Sequence, residues 1–275
     1  MYLYSVNALR SCDKMIFIHI SDAMKGRDRK CPICYLLDNL ENRYYENLLY
    51  ENVNDPSVRE NIRRSLGFCP YHAFKLVSYV KRSPGIDGLG STLIYIDMLN
   101  QYIEHLSASR YAPTQLQEPG RLWASCSLCS YIREFELIYV DIFSKCFEES
   151  VAIYSTSSSI LCYKHLYMIM NIIDSQSMGK LIDIQAVKLN TILKNAERFV
   201  EKHDYLYRGS IFEDEARAWQ DAIEVLKGSI SSQIALISSY RDLAISNISH
   251  KLWGLIHRLY SRHRLSRKRV GVSDE

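Results

Sequence analysis

Proline and glycine are scarce in this chain: six and eleven in 275 residues. So few chain-turning residues argue against many short strands and favour long helices. Apolar runs are short as well. None approaches the roughly 18 residues of a membrane span. The stretch Met15-Ile16-Phe17-Ile18-His19-Ile20 is too short, and too closely followed by Asp22 and Lys25, for a secretory signal. There is no glycine-rich phosphate loop, no H-E-x-x-H and no G-x-S-x-G. Nucleotide-binding and hydrolase chemistry therefore have no direct support, and an enzyme is less expected than a non-enzymatic protein.

The sequence is rich instead in ordered cysteine and histidine. Cys31-Pro32-Ile33-Cys34 is answered by Cys69-Pro70-Tyr71-His72, and Cys126-Ser127-Leu128-Cys129 by Cys162-Tyr163-Lys164-His165. Each set reads C-x2-C…C-x2-H, with gaps of 34 and 32 residues. Two closely spaced ligands define one edge of a tetrahedron and a second pair the opposite edge, as in Cys3His zinc sites. The expected metal ligands are Cys31, Cys34, Cys69 and His72 in one half and Cys126, Cys129, Cys162 and His165 in the other. Two zinc ions are expected, with an iron–sulfur cluster as the competing cofactor. A Cys-Pro-x-Cys used for thiol–disulfide exchange usually follows a strand, none is evident here, and that use would require Cys31 and Cys34 to be metal-free. With most cysteines committed to these pairs, a reducing cytoplasm is expected. Cys12 and Cys146 are left over; Cys146 shares a helical stripe with Phe135, Ile138, Ile142 and Phe143 and reads as a plain core thiol.

The pattern around the pairs is helical. Pro32 and Pro70 directly follow Cys31 and Cys69, where proline suits the first helical position. Asp55-Pro56 looks like an N-cap and first turn, with Gly67 past the end of that helix. The resulting architecture is all-α: a loose extension over 1–14, a first helical unit over 15–106, a linker over 107–121 and a second unit over 122–206. Each unit is expected to close its own Cys3His site. A C-terminal helical segment (207–260) with the stripe Phe212, Ala216, Trp219, Ile223, Leu226 and Ile230 should pack across one or both units, with helical spacing continuing to Leu259. The shared order of pair, helix and pair implies an internal duplication.

Glu213, Asp214 and Glu215 near Lys202, His203 and Asp204 could form an acid/base cluster. Acids in a helix's first turn need no such role, because the macrodipole favours them there. From Lys251 onward seven Lys/Arg face two acids. That basic tail (261–275 and the residues before it) reads as a solubilising end, with salt-dependent contact to nucleic acid or an anionic surface as the sharper possibility. A protein partner is conceivable and unidentified.

At Cys31-Pro32-Ile33-Cys34, Asn54-Asp55-Pro56, Gly67-Phe68-Cys69-Pro70-Tyr71-His72 and Asp214-Glu215-Ala216-Arg217-Ala218-Trp219 the chain resembles the family labelled domain of unknown function 6062. The resemblance covers about residues 15 to 230, and its motifs are most specific in the first half. It implies a microbial helical Cys/His protein with no known activity. Cys126-Ser127-Leu128-Cys129 departs from the first half in lacking the proline. The expectation is a zinc-stabilised helical scaffold or binding protein; the alternative is an iron–sulfur or thiol-based redox sensor or electron-transfer protein.

Overall fold

Eleven α-helices and no strand are found among the residues described by the computed structural model, which are 12–26, 30–110, 117–204 and 209–229. Helix α1 (Lys14–Lys25) starts at Asp13, whose carboxylate accepts from the Met15 and Ile16 amides. Helix α2 (Pro32–Asn47) starts at Cys31 and ends in one wide turn, Leu48–Asn52. Asp55 caps α3 (Pro56–Arg63) by accepting from the Ser57 and Val58 amides at 2.8 and 3.0 Å. It satisfies two amides that the first turn leaves without partners.

Between α3 and α4 (Pro70–Arg82) the chain reverses through Leu66 and Gly67, both at positive φ. Gly67 sits at φ 103°, and a Cβ there would stand 3.3 Å from the Tyr95 ring. Only glycine meets both demands, and the turn delivers Cys69 to the start of α4. Helix α5 (Leu89–Ser109) closes the first half. The Arg63 guanidinium grips Asp97 of α5 through two 3.0 Å bonds, fixing α3 against it.

The second half opens with a short helix, α6 (Pro119–Ala124), part of which lies inside the expected linker. Then come α7 (Ser127–Lys145), α8 (Phe147–Thr156), α9 (Tyr163–Met170) and α10 (Ser175–Glu201). Helix α11 (Glu213–Lys227) ends at Gly228, at φ 70°. It packs on α10 and α9. It is thus shorter than the helical spacing suggested. The spacing from Ile230 onward and the basic tail lie outside the described residues, as do residues 1–11.

Most of the core is one continuous apolar cluster reaching from Phe17 to Leu181. Helices α1 and α2 pack against each other and both pack on α7, so the halves share their interior. Two buried tyrosines, one from each half, use their hydroxyls to place the helices that carry histidines. The Tyr45 hydroxyl donates to the His72 carbonyl at 2.9 Å, and the Tyr154 hydroxyl accepts from the Leu161 amide at 2.9 Å.

Cys146 is buried on its expected stripe but is not a free thiol. It is bonded to Cys12, with the two Cα atoms 5.2 Å apart. The packing of α1 against α7 and α8 brings the pair together across 134 residues, a proximity that no spacing rule reveals. At this pair the expectation of thiols kept reduced or metal-bound fails. No helix among the described residues is long and apolar enough to cross a membrane.

The acidic start of α11 follows the simpler of its two readings. Glu215 accepts from the Phe212 amide at 2.8 Å and from Lys202 Nζ at 2.7 and 2.8 Å. The Lys202 contact, with the Phe212 amide bond, holds its carboxyl below the usual range. It is a helix-start clasp between α10 and α11.

Candidate metal centres

All four pairs share one local design. Cys31, Cys69, Cys126 and Cys162 are the N-cap residues of α2, α4, α7 and α9. The second member of each pair (Cys34, His72, Cys129, His165) comes three residues later, on the same side of the first turn. Helix N-termini present unpaired amides and partial positive charge, which favour thiolate over thiol. The proline that Cys126-Ser127-Leu128-Cys129 lacks makes no difference to this, because α7 still starts at Ser127.

The pairs meet differently from the expected arrangement. Cys31 and Cys34 converge with Cys162 and His165, whereas Cys69 and His72 converge with Cys126 and Cys129. Each half therefore supplies two ligands to both clusters and completes neither. The residues are the expected ones, but their partners are exchanged. The spacing could not reveal this, because C-x2-C…C-x2-H fits either assignment. The decision belongs to the packing of α2 on α7 and of α7 on α9.

Within each quartet the four ligand atoms lie within 4.8 Å of one another. In the first cluster Cys34 and Cys162 have their sulfurs 3.7 Å apart, and His165 Nδ1 is 3.2–3.4 Å from the three sulfurs. In the second, the Cys69 and Cys129 sulfurs are 3.6 Å apart, and His72 Nδ1 is 3.2, 3.3 and 3.7 Å from Cys69, Cys129 and Cys126. With Zn–S of about 2.3 Å and Zn–N of about 2.0–2.1 Å, a tetrahedron has S···S edges of about 3.7 Å and S···N edges of about 3.5 Å. The donor sets fit a single tetrahedral ion.

Electrostatics point the same way. Hydrogen bonds from neighbouring thiols pull Cys34 and Cys126 far below an ordinary thiol. Burial pushes Cys31 up, and hydrogen bonds with Cys126 and Cys69 push Cys129 up. Burial would lower His72, but hydrogen bonds to Cys126 and Cys69 outweigh it and hold the ring up at about 9. Three buried sulfurs cannot all ionise side by side without a cation, and a divalent ion would supply the missing charge.

The sequence reading missed Glu41 and Glu136. Both are buried, each lies seven residues past the second cysteine of its pair, and each faces a histidine. Glu136 Oε1 lies 2.9 Å from His165 Nε2 and 2.6 Å from Lys164 Nζ. Burial raises the Glu136 carboxyl, but the His165 bond and the Lys164 charge outweigh it and leave it lowered. Glu41 Oε1 lies 3.6 Å from His72 Nε2 and 3.1 Å from the Tyr45 hydroxyl oxygen, while Lys75 holds its other oxygen. A carboxylate behind a metal-bound imidazole fixes its tautomer and orientation. The available signal was an acid on the apolar stripe of Leu37 and Tyr45, repeated at the matching place in α7.

These carboxylates also cross between clusters. Glu136 sits on the helix that carries Cys126 and Cys129, yet it orients the histidine of the other cluster. We expect Glu136→Gln to weaken metal binding about 10–100-fold at the first cluster alone, and Glu41→Gln to do so at the second. Competition with a chromophoric chelator measures this, and unchanged affinities would remove the orienting role.

The nested quartets occur on a chain whose residues 12–233 match a family described as "Family of unknown function (DUF6062)". This chain belongs to that family. A relative from Caldicellulosiruptor sp. (strain Rt8B.4), titled "Uncharacterized 23.9 kDa protein in xynA 3'region", is 31% identical over 206 residues. The alignment takes in 74% of this chain and 97% of the relative. No solved structure matches. The family match spans all eight candidate ligands, both carboxylates and the Cys12–Cys146 pair, and ends before the basic tail.

Proposed function

We propose that this protein is a non-enzymatic helical scaffold or binding protein, held in shape by two structural zinc ions. The observation that supports it is closure. Each cluster offers four ligands at tetrahedral edge lengths, every one of them buried. Catalytic zinc keeps one position for water or substrate, whereas structural zinc takes four protein ligands. The compactness also favours one ion over an iron–sulfur cluster. In an iron–sulfur cluster the four ligands are divided among two or four irons, so the set spans more space than four ligands sharing one ion.

Metal analysis of protein purified without added metal or oxygen tests this. About two zinc per chain and no visible absorbance are expected. Iron with acid-labile sulfide would replace the scaffold reading with electron transfer or redox sensing. Metal-free protein retaining its helices would remove the zinc reading altogether.

A further inference from the structure

Helices α1, α2 and α7 enclose a cavity of about 390 Å³ that is separate from both clusters. Its size falls in the range of small-molecule sites. Tyr131, Phe135 and Tyr139 lie at successive four-residue steps on α7 and form one wall, with Tyr44 of α2 facing them. The rings are not stacked flat. Tyr44 and Tyr131 meet at 49° with centroids 5.5 Å apart, and Tyr131 and Phe135 at 57° and 4.9 Å. Such a wall offers both ring faces and ring edges to a guest, the arrangement in which another aromatic ring packs well. Ile16, Leu36, Leu40 and Ile138 complete the apolar part.

The polar lining has one sign. Arg43 and His19 are exposed residues of the lining, which among the described residues contains no carboxylate. Among the described residues Arg43 has no ion pair or hydrogen bond, although it lies close enough to Tyr139 for its charge to act on that hydroxyl. Asn39, also in the lining, has a side-chain amide with no hydrogen bond among the described residues. A free guanidinium beside an aromatic wall matches an anionic group attached to a flat ring, through a bidentate contact or stacking.

We propose that this cavity is a binding site for a small planar aromatic anion, its ring against Tyr44, Tyr131 and Phe135 and its acidic group at Arg43. The walls are positioned by the ligand pairs: α2 carries Cys31 and Cys34, and α7 carries Cys126 and Cys129. The site therefore rests on the scaffold reading for its rigidity, and metal content must be followed alongside binding.

The test uses the full metal-loaded chain titrated with 1-anilinonaphthalene-8-sulfonate, an aromatic anion that fluoresces when shielded from water. One saturable site is expected, displaced by naphthalene-2-carboxylate and at least about tenfold less well by the uncharged 2-naphthamide, a loss comparable to one charged hydrogen bond. Arg43→Gln should weaken the dye by a similar factor, and Leu40→Trp should abolish binding by filling the cavity. Both variants should keep the metal content of the parent. Equal displacement by acid and amide, or dye binding that neither substitution alters, would overturn the proposal. Loss of dye binding together with loss of metal would instead count against the frame.

Discussion

Replacing Cys34 and Cys162 together by serine is expected to remove one metal equivalent and spare the second, while replacing Cys34 and Cys69 together removes both. The first pair belongs to one quartet, with sulfurs 3.7 Å apart, although 128 residues separate them in sequence. The second pair belongs to two quartets, although the spacing pattern would join them. If each half closed its own site the outcomes would be reversed. Binding free energies of structural zinc run to about 10–16 kcal/mol, and much of that is folding free energy. The variant that loses both ions should therefore melt far below the one that keeps one. Metal content by mass spectrometry and thermal melting followed by circular dichroism read the two effects separately.

A single backbone cut between Tyr111 and Leu116 should leave the two halves associated, and a chelator should then release them or unfold both. The experiment needs a Cys12→Ser background, because the Cys12–Cys146 disulfide otherwise joins the halves covalently. In the cut protein each ion is held by two ligands from either fragment, so the ions themselves become the link. Apolar packing of α1 and α2 on α7 adds to the association. Each half alone exposes that face and leaves its ligands as two incomplete pairs. Size-exclusion chromatography with and without chelator decides the matter. Halves that separate with metal still bound would mean that each closes its own cluster.

Much of this was legible in the chain because local rules governed it. Cysteine followed by proline marked the starts of α2 and α4, and Asp55-Pro56 marked the start of α3, each through the chemistry of a first helical turn. The eight residues that gather into the two clusters were picked out by the same short spacings. What spacing cannot encode is which pair meets which, because that is set by helix packing over distances of 60 and 128 residues. Cys12 and Cys146 were obscure for the same reason. Glu41 and Glu136 were visible only as acids out of place on buried stripes, a signal that becomes persuasive once its repetition is noticed. The aromatic wall was written at a step of four in α7, yet Phe135 and Tyr139 read equally well as core. Nothing in the periodicity says that a stripe borders a void.

The exchange of ligand pairs also bears on ancestry. A protein consisting of one half alone would own a C-x2-C and a C-x2-H that, in this geometry, cannot reach the same ion. Its tetrahedra would be completed only by a second copy placed head to head, each giving its cysteine pair to the other's histidine pair. That is the isologous interface of a two-fold homodimer, with both ions bridging the subunits. Joining two such copies end to end would turn the dimer interface into the interior of one chain. The order of pairs along the present sequence, outer with outer and inner with inner, is what such a fusion would leave behind.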